Sequence, residues 1–327
     1  MSLPRIAIAL GDPAGIGPEI ALKAALDRRV RSICRPLLVG DRRVLATHAA
    51  LCGLEPRLAD YGAAADIAWS GDTLPLLQVA AEPPALGEVR AAHGRAAVDA
   101  ARAAIRAALA GYVDAVVGAP HTERAIALAG IAFDGYPSFV ARETGMAPDD
   151  AFLMLCFDQT RIVHATLHAS LRRAIELVTQ ERVAAAIATA DTALRRLGIA
   201  APRLAVSGLN PHAGEDGLFG EEERQIIAPA IAQARQAGIA ADGPFGADTM
   251  VQRQGYDAFI VMLHDQGHIW AKLQAPNRAA GVTIGTPVLF SSVAHGSALD
   301  LAGKNRASAE AMVEAVRRMA GVPAQRR

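Results

Sequence analysis

The chain has 327 residues, and its 33 basic and 33 acidic side chains give a formal net charge of zero. This balance argues against a protein that binds nucleic acids or anionic membranes, and no run of about 18 apolar residues suggests a transmembrane helix. With 52% hydrophobic residues, the chain can bury one large core or two medium ones. Three scattered cysteines and an N-terminus without a signal-peptide pattern favour a cytoplasmic protein.

Strand-like and helix-like segments alternate along the sequence, which predicts an α/β fold with a largely parallel sheet. Strands are expected at RIAIAL, RPLLVG, DAVVGAP, AFLMLCF, RIVHATLH, RLAVSGL, AFIVML, GVTIG and VLFSS. Helices are expected at PEIALKAALDRRV, DRRVLATHAALCG, GRAAVDAARAAIRAALAG, LRRAIELVTQERVAAAIATADTALRRLGI, EEERQIIAPAIAQARQAG and SAEAMVEAVRRMA. The region from 60 to 90 shows no clear periodicity. Ligands of such folds bind beyond the carboxyl ends of strands, so polar residues that follow a strand are candidate site residues.

The first candidate segment is the glycine-rich GDPAGIGPE, residues 11–19, directly after a strand. Its glycines permit close approach of the backbone to another group. Pro18 could open a helix whose free N–H groups attract an anion, and a plain strand-to-helix turn is the alternative. The spacing matches neither the dinucleotide fingerprint nor a Walker A loop.

Histidines follow three separate strands. RIVHATLHASLR carries His164 and His168 four residues apart, which in a strand would place both on one face. GLNPHAGEDGLFG carries His212, and LHDQGH carries His264 and His268. Neutral imidazole is the usual ligand of zinc and its neighbours, so one histidine from each segment, His168, His212 and His264, is predicted to bind a divalent metal ion. His164 and His268 are expected to be structural or to orient these ligands.

Two more charged residues lie near the strand ends. Asp248, in GADTM, either contacts a substrate hydroxyl or caps a helix that begins at Thr249. Lys272 is either an ordinary exposed lysine or, beside a metal ion, a group that transfers a proton.

The segment AHGSALDLAGKNRA, residues 294–307, forms the last cluster. Its small residues and free backbone N–H groups suit a nucleotide, and a plain glycine-containing loop is the alternative. The residues expected to contact the nucleotide are His295, Gly296, Ser297, Asp300 and Gly303.

Five motifs, GDPAGIGPE, GLNPHAGE, GADT, HDQGHIWAK and HGSALDLAG, occur in the order found in the 4-hydroxythreonine-4-phosphate dehydrogenase family, which this sequence resembles along nearly its whole length. The resemblance implies two interleaved α/β domains with a central cleft, similar in fold to isocitrate and isopropylmalate dehydrogenases. The expected domains are residues 1–130 with 275–327, on the nucleotide side, and residues 131–274, on the metal and dimer side.

The resemblance also implies cofactors and a partner. It implies NAD, held by the HGSALDLAG turn, and a divalent metal ion, with zinc as the first choice. NADP and other metals stay open. By motif match the metal ligands fall on His168, His212 and His264, and the partner subunit of a homodimer would donate its own copy of the last. Asp265 is expected to orient that ligand or to bind the metal, and Lys272 matches a lysine that contacts the substrate.

Four positions depart from the vitamin B6 enzyme of this family. Tyr136 and Pro137 replace a histidine and a threonine that contact the phosphorylated substrate, Gly281 replaces an asparagine, and Phe290 replaces a phosphate-binding arginine. A phosphate dianion requires charged hydrogen-bond donors. We therefore expect a substrate without phosphate, bound against an aromatic wall of Tyr136 and Phe290.

The segments GIAFDGYPS, MLHDQGHIWAKLQAPN and SSVAHGSALDLAG look closest to the terephthalate dihydrodiol dehydrogenase branch of the family. The resemblance implies NAD-dependent oxidative decarboxylation of 1,2-dihydroxy-3,5-cyclohexadiene-1,4-dicarboxylate to protocatechuate. Lys272 is the first candidate for proton transfer and Asp248 the second. The candidates for binding the second carboxylate are Arg161, Arg172, Arg278 and Arg306.

Three alternative functions are open at this point. The protein could act on 4-hydroxythreonine-4-phosphate or a related phosphorylated hydroxy acid. It could instead be a metal-dependent hydrolase without NAD, or a binding protein without catalysis. The last two would leave the nucleotide motif without a use.

Overall fold

The structure, a computed structural model, describes residues 3–69, 72–275 and 279–321. The strands there are β1 (Arg5–Ala9), β2 (Arg35–Gly40), β3 (Leu58–Tyr61), β4 (Leu74–Gln78), β5 (Ala115–Gly118), β6 (Phe152–Phe157), β7 (Thr160–His164), β8 (Arg203–Ser207), β9 (Ala240–Phe245), β10 (Ala258–Val261), β11 (Ala280–Ile284) and β12 (Phe290–Val293). The α-helices are α1 (Gly17–Leu26), α2 (Arg28–Arg31), α3 (Arg42–Cys52), α4 (Ala91–Leu109), α5 (Glu123–Leu128), α6 (Tyr136–Glu143), α7 (Leu171–Leu177), α8 (Gln180–Arg196), α9 (Ala228–Gln236), α10 (Ala247–Met250), α11 (His264–Gln274) and α12 (Glu310–Met319). The predicted α/β class is confirmed.

The chain divides into two compact units. Unit 1 runs to Met146 and resumes at Thr286, and unit 2 spans Ala147–Gly285. The expected domain boundaries, 130/131 and 274/275, lie earlier in the chain than these. The difference arises because α6 packs against α4 within unit 1, whereas β11 pairs with β6 within unit 2.

Unit 1 contains six strands in the order β3-β4-β2-β1-β5-β12, and every neighbouring pair among them is parallel. The central strands are apolar on both faces, as a parallel sheet covered by helices requires. The carboxyl ends of β1, β5 and β12 therefore lie at the same edge of this sheet, because β5 pairs with both of the other strands. The loops that follow these three strands meet there.

Unit 2 contains six strands in the order β11-β6-β7-β10-β8-β9. The last four are parallel to one another, whereas β6 runs antiparallel to both of its neighbours. The expected strand RIVHATLH ends at His164, so His168 lies in the following loop and does not share a strand face with it. The expected single helix from 171 to 199 is instead two helices, α7 and α8, with Val178 and Thr179 between them.

The cysteines Cys34, Cys52 and Cys156 are buried and form no disulfide among the described residues. Burial raises the pKa of the Cys34 thiol to about 12, so this group stays protonated and unreactive. Within residues 3–69, 72–275 and 279–321, no helix is both long and apolar enough to cross a membrane.

Replacing Gly94 with Ala is expected to destabilise the protein, because Gly94 lies where α4 contacts α5. A Cβ atom at this position would lie 2.2 Å from backbone atoms of Ala125. The higher helix propensity of Ala would stabilise α4 by about 1 kcal/mol, but such overlap should cost about 3 kcal/mol or more. Urea unfolding should therefore show a net loss of stability.

Gly62→Ala is the matched control, because a Cβ there would meet no described atom within 4 Å. This variant should keep the wild-type free energy of unfolding within about 0.5 kcal/mol. If Gly94→Ala were as stable as the control, the close packing of α4 on α5 would be wrong.

Candidate active site

Four histidines of unit 2 lie together near the ends of two neighbouring strands. His164 is the last residue of β7, and α11 begins at His264, shortly after β10. The two strands are parallel, with Val261 opposite His164, so their carboxyl ends lie side by side. The rings of His264 and His268 stack with centroids 3.7 Å apart, and the His168 ring is 5.8 Å from that of His264. The segment 264–274 is thus a helix, which the sequence had not indicated.

Hydrogen bonds fix the protons on three of these rings. His264 Nδ1–H donates to Asp265 Oδ1 over 2.6 Å, which supports the expected orienting role of this carboxylate. His164 Nδ1–H donates to the carbonyl of Leu153, 3.4 Å away, so its Nε2 must accept. The His268 Nδ1–H donates a hydrogen bond to the His164 Nε2 over 3.1 Å. It also contacts the carbonyl oxygen of His264. Nε2 is therefore the nitrogen of His264 and of His268 that can accept a proton or bind a metal ion.

Burial keeps part of this cluster uncharged. Burial, assisted by the neighbouring His268, lowers the pKa of His164 to about 3. Burial and then the proximity of His264 lower the pKa of His268 to about 4, with a smaller contribution from Lys272. Both imidazoles are neutral at pH 7, and neutral imidazole is the form that binds metal ions.

His212 makes none of the ring contacts that link the four clustered histidines. It begins a run of five residues, 212–216, that all have positive φ angles, and its side chain is 69% exposed. Its Nδ1 is 3.6 Å from Glu215, and its ring neighbour among the described residues is Phe219. The ring contacts therefore join His168 to His264, and His212 is not part of them.

No group of three His, Cys, Asp or Glu side chains in the described part of one chain is arranged to hold a metal ion. The expected site uses a ligand from a second subunit, so a single chain would present only part of it. The residues present suit such a role, because His264 is held by a carboxylate with Nε2 left to accept. The three-histidine site stays a prediction.

Asp248 and Lys272 are both exposed in unit 2. Helix α10 begins at Ala247 with Gly246 at its N-cap, so Asp248 lies in the first turn and does not cap a helix starting at Thr249. The position of a Cβ on Gly246 is 3.8 Å from the His212 Cα, which places the His212 turn beside this helix. Lys272 lies one helical turn beyond His268 on α11.

The predicted nucleotide residues lie in unit 1, after β12. Ser297 is buried, and its Oγ is 2.8 Å from Thr122 Oγ1. His295 Nδ1–H donates to the Gly296 carbonyl over 3.1 Å. The segment lines a cavity of about 520 Å³ together with residues 119–123 and Tyr136, which is within the range of small-ligand pockets. Asp300 and Gly303 follow this segment and do not line the cavity.

The structure corrects the expected aromatic wall. Phe290 has no exposed surface and belongs to the core of unit 1, where its ring packs 4.6 Å from that of Tyr136. Tyr136 reaches the cavity lining and donates a hydrogen bond to the Ala119 carbonyl over 3.3 Å. Phe290 does not line the cavity and packs behind Tyr136. Pro137 is half-buried in the first turn of α6, and Gly281 lies in the interior of β11, in the other unit.

The structure does not support the anion-binding role that was one of two alternatives for the glycine-rich loop. All residues from 11 to 19 are buried, so the loop offers no surface to an anion. The plain strand-to-helix turn is the alternative that the structure supports. Its glycines serve close packing, since a Cβ on Gly17 would lie 2.4 Å from the Leu10 carbonyl oxygen.

The candidate arginines are scattered. Arg161 donates to the Asp257 carbonyl over 3.2 Å, which holds it on the unit 2 surface. Arg172 and Arg306 are exposed, and Arg278 lies outside the described residues. Their expected role at the second carboxylate stays a prediction.

His121 was not a candidate from the sequence, yet it lines the unit 1 cavity in the loop that follows β5. Its ring meets Phe133 and Tyr136 edge-on, with centroids 4.6 and 4.8 Å away. Burial lowers the pKa of His121 to about 4, so it is neutral at pH 7. The signal that could have found it is the one used for the other histidines, a polar residue at the carboxyl end of a strand.

Comparison of the sequence with known proteins identifies its family. A family model described as "Pyridoxal phosphate biosynthetic protein PdxA" matches residues 32–319. The 1,2-dihydroxy-3,5-cyclohexadiene-1,4-dicarboxylate dehydrogenase of Comamonas sp is 44% identical over 321 residues, which cover 98% of each chain.

Solved structures show the same relationship. A terephthalate 1,2-cis-dihydrodiol dehydrogenase from Burkholderia xenovorans LB400 is 40% identical, with a TM-score of 0.73 over 99% of this chain and 100% of that one. A 4-hydroxythreonine-4-phosphate dehydrogenase from Burkholderia phymatum has a TM-score of 0.86 at 33% identity, over 100% of both chains. An isocitrate dehydrogenase from Methylococcus capsulatus shares the fold alone, with a TM-score of 0.50 at 18% identity over 97% of this chain and 85% of that one. The protein therefore belongs to the PdxA family, as its five motifs indicated, and its relatives named here are dehydrogenases.

Proposed function

We propose that the protein is an NAD-dependent dehydrogenase that converts 1,2-dihydroxy-3,5-cyclohexadiene-1,4-dicarboxylate to protocatechuate. The observation that carries this proposal is the 44% identity to the Comamonas enzyme across 98% of both chains. A second candidate is a dehydrogenase of 4-hydroxythreonine-4-phosphate, because the Burkholderia phymatum structure with that name matches this chain with a TM-score of 0.86.

The lining of the unit 1 cavity favours the first candidate. Among its described residues there is no Lys or Arg, and Tyr136 contributes an aromatic surface backed by Phe290. In this proposal the dinucleotide binds at the turn 295–299 and the substrate binds on the Tyr136 side of the same cavity, where its phosphate would lack charged donors, at a cost of several kcal/mol. The pyrophosphate of a dinucleotide differs in this respect, because backbone N–H groups commonly bind it.

The chemistry of the proposed substrate explains why one enzyme can perform both steps. The hydroxyl that is oxidised lies on the carbon β to a carboxylate, so oxidation gives a β-keto acid. Loss of CO2 then gives an enol that is already an aromatic catechol, which makes this step favourable. When bound, NAD would accept the hydride from the carbon that is oxidised, and a divalent cation, with zinc as the first choice, would polarise the oxygen on that carbon.

The side chains of unit 2 supply binding and proton transfer in this proposal. His168, His212 and His264 hold the cation through imidazole nitrogens, and Asp265 fixes the ring of the last. Lys272, on the same helix as His264, takes the proton of the substrate hydroxyl, with Asp248 as the second candidate.

Exposed apolar side chains on unit 2 support the expected homodimer. Ile269 and Leu273, four residues apart on α11, are 57% and 77% exposed. Leu171 and Ile175 repeat this spacing on α7, which begins three residues after His168. Exposed apolar patches of this kind mark interfaces between proteins. A partner that covers α11 would bring its own helix close to His264, as a metal site shared between subunits requires.

A substrate panel tests the proposed reaction. With the dihydrodiol dicarboxylate, the purified enzyme should reduce NAD and release CO2 and protocatechuate in equal amounts. Threonine-derived phosphorylated acids should be poorer substrates by at least about 100-fold in kcat/KM, because the phosphate lacks charged donors. Efficient oxidation of 4-hydroxythreonine-4-phosphate would instead support the second candidate.

Replacing single ligands tests the metal site. His212→Ala and His264→Ala should each lose the bound metal ion, measured by elemental analysis, together with turnover. Asp265→Asn should weaken metal binding by about 10–100-fold, because it loosens the ring that it orients.

Arg224→Ala is the control for these variants, since this exposed side chain of unit 2 pairs with Glu221, away from the four clustered histidines in the chain. It should keep metal content and activity. Full activity of metal-free wild-type protein would refute the metal site.

The double variant Ile269→Asp with Leu273→Asp tests the dimer. Charges on this face should give a monomer in sedimentation equilibrium and should reduce metal content, because the shared site is then incomplete. Leu128→Asp, at a position of unit 1 that is also 57% exposed, should leave the oligomeric state unchanged. A wild-type chain that sediments as a monomer with metal bound would contradict the shared site.

A further inference from the structure

We infer that Gly15 and Thr122 are positioning residues that hold the turn 295–299 in place for the dinucleotide. This inference rests on the proposed function, because it concerns how tightly NAD binds. Neither residue was a candidate for binding the cofactor, and each packs against Ser297, which lies at the centre of that turn.

The glycine-rich loop forms the support on one side of the turn. The Ile16 N–H donates to the Ser297 carbonyl over 2.9 Å. A Cβ on Gly15 would lie 2.6 Å from that carbonyl oxygen and 2.7 Å from the Ser297 Cβ. Real Cβ contacts are not that short, so the turn can occupy its present position only because residue 15 has no side chain.

Thr122 forms the support on the other side. Its Oγ1 is 2.8 Å from the Ser297 Oγ, and both residues line the cavity of about 520 Å³. Thr122 occupies the N-cap position of α5, where a threonine usually accepts a hydrogen bond from the backbone of its own helix. It makes no such bond among the described residues. Its hydroxyl therefore contacts the turn instead of capping α5, although such a cap would stabilise the helix by about 1 kcal/mol.

The sheet explains why these distant segments meet. The glycine-rich loop follows β1, Thr122 follows β5, and the turn follows β12, and these three parallel strands are neighbours. The loop is buried throughout, so it cannot contact the dinucleotide directly. Its influence on the ligand passes through the position of Ser297 and the backbone N–H groups beside it.

Calorimetric titration of the full-length protein with NAD tests this inference. Gly15→Ala should raise the Kd for NAD about tenfold or more, because the turn must move away from the added methyl group. Thr122→Val, which keeps the shape of the side chain but loses the hydroxyl, should raise Kd by about 3- to 10-fold. In turnover assays both variants should raise KM for NAD while kcat at saturating NAD and KM for the dihydrodiol stay unchanged.

Gly62→Ala is the control, because a Cβ there meets no described atom within 4 Å and the residue is remote in sequence from all three segments. It should bind NAD as the wild type does. A folded Gly15→Ala protein with the wild-type Kd for NAD overturns the role of Gly15. A wild-type Kd for the Thr122→Val protein overturns the inference that these two residues hold the turn 295–299. If the Gly15→Ala protein does not fold, the Kd of the Thr122→Val protein for NAD decides whether the inference stands. A wild-type protein that does not bind NAD overturns both this inference and the proposed function, whereas unchanged affinities in the variants overturn only the inference.

Discussion

Parallel pairing of neighbouring strands is the constraint on which both candidate sites depend. A parallel pair brings two carboxyl ends to the same edge of a sheet, together with the loops or helices that follow them. In unit 1 this brings the segments after β1, β5 and β12 together around Ser297. In unit 2 it brings His164, at the end of β7, next to the helix that follows β10. Without this register, each polar residue would be an isolated side chain at the end of a strand.

Burial determines the chemical state of the polar groups gathered at these edges. His121, His164 and His268 all have a pKa well below the usual value for histidine, and in each case burial is the largest cause. A charged imidazole would lose its hydration there, so the neutral form is favoured. In unit 2 the neutral rings donate and accept in sequence, from His268 to His164 to the Leu153 carbonyl. Such a chain leaves defined nitrogens available for a ligand.

The two units carry different parts of the proposed chemistry. Unit 1 offers a cavity with hydroxyl groups, backbone N–H groups and an aromatic wall, which suits a dinucleotide. Unit 2 offers imidazoles, a carboxylate and an amine, which suit a cation and proton transfer. In the proposed homodimer, the exposed apolar side chains of α11 would place this second set next to the partner subunit.

The sequence by itself determined the α/β class, the strands that precede the candidate segments and the family. Local patterns sufficed because apolar runs, glycine turns and motif order are properties of short stretches. Several elements lacked such a pattern: β3 and β4 are short, β9 contains Gly243 and Pro244, and the polar start of α11 resembles a loop.

Only the tertiary structure decided what each side chain faces. It placed Phe290 in the core behind Tyr136, sealed the glycine-rich loop against Ser297 and linked His268 to His164. These outcomes depend on contacts between residues that are far apart in the chain. A local pattern can show that a residue is apolar or small, but which neighbour covers it is set by the pairing order of the strands.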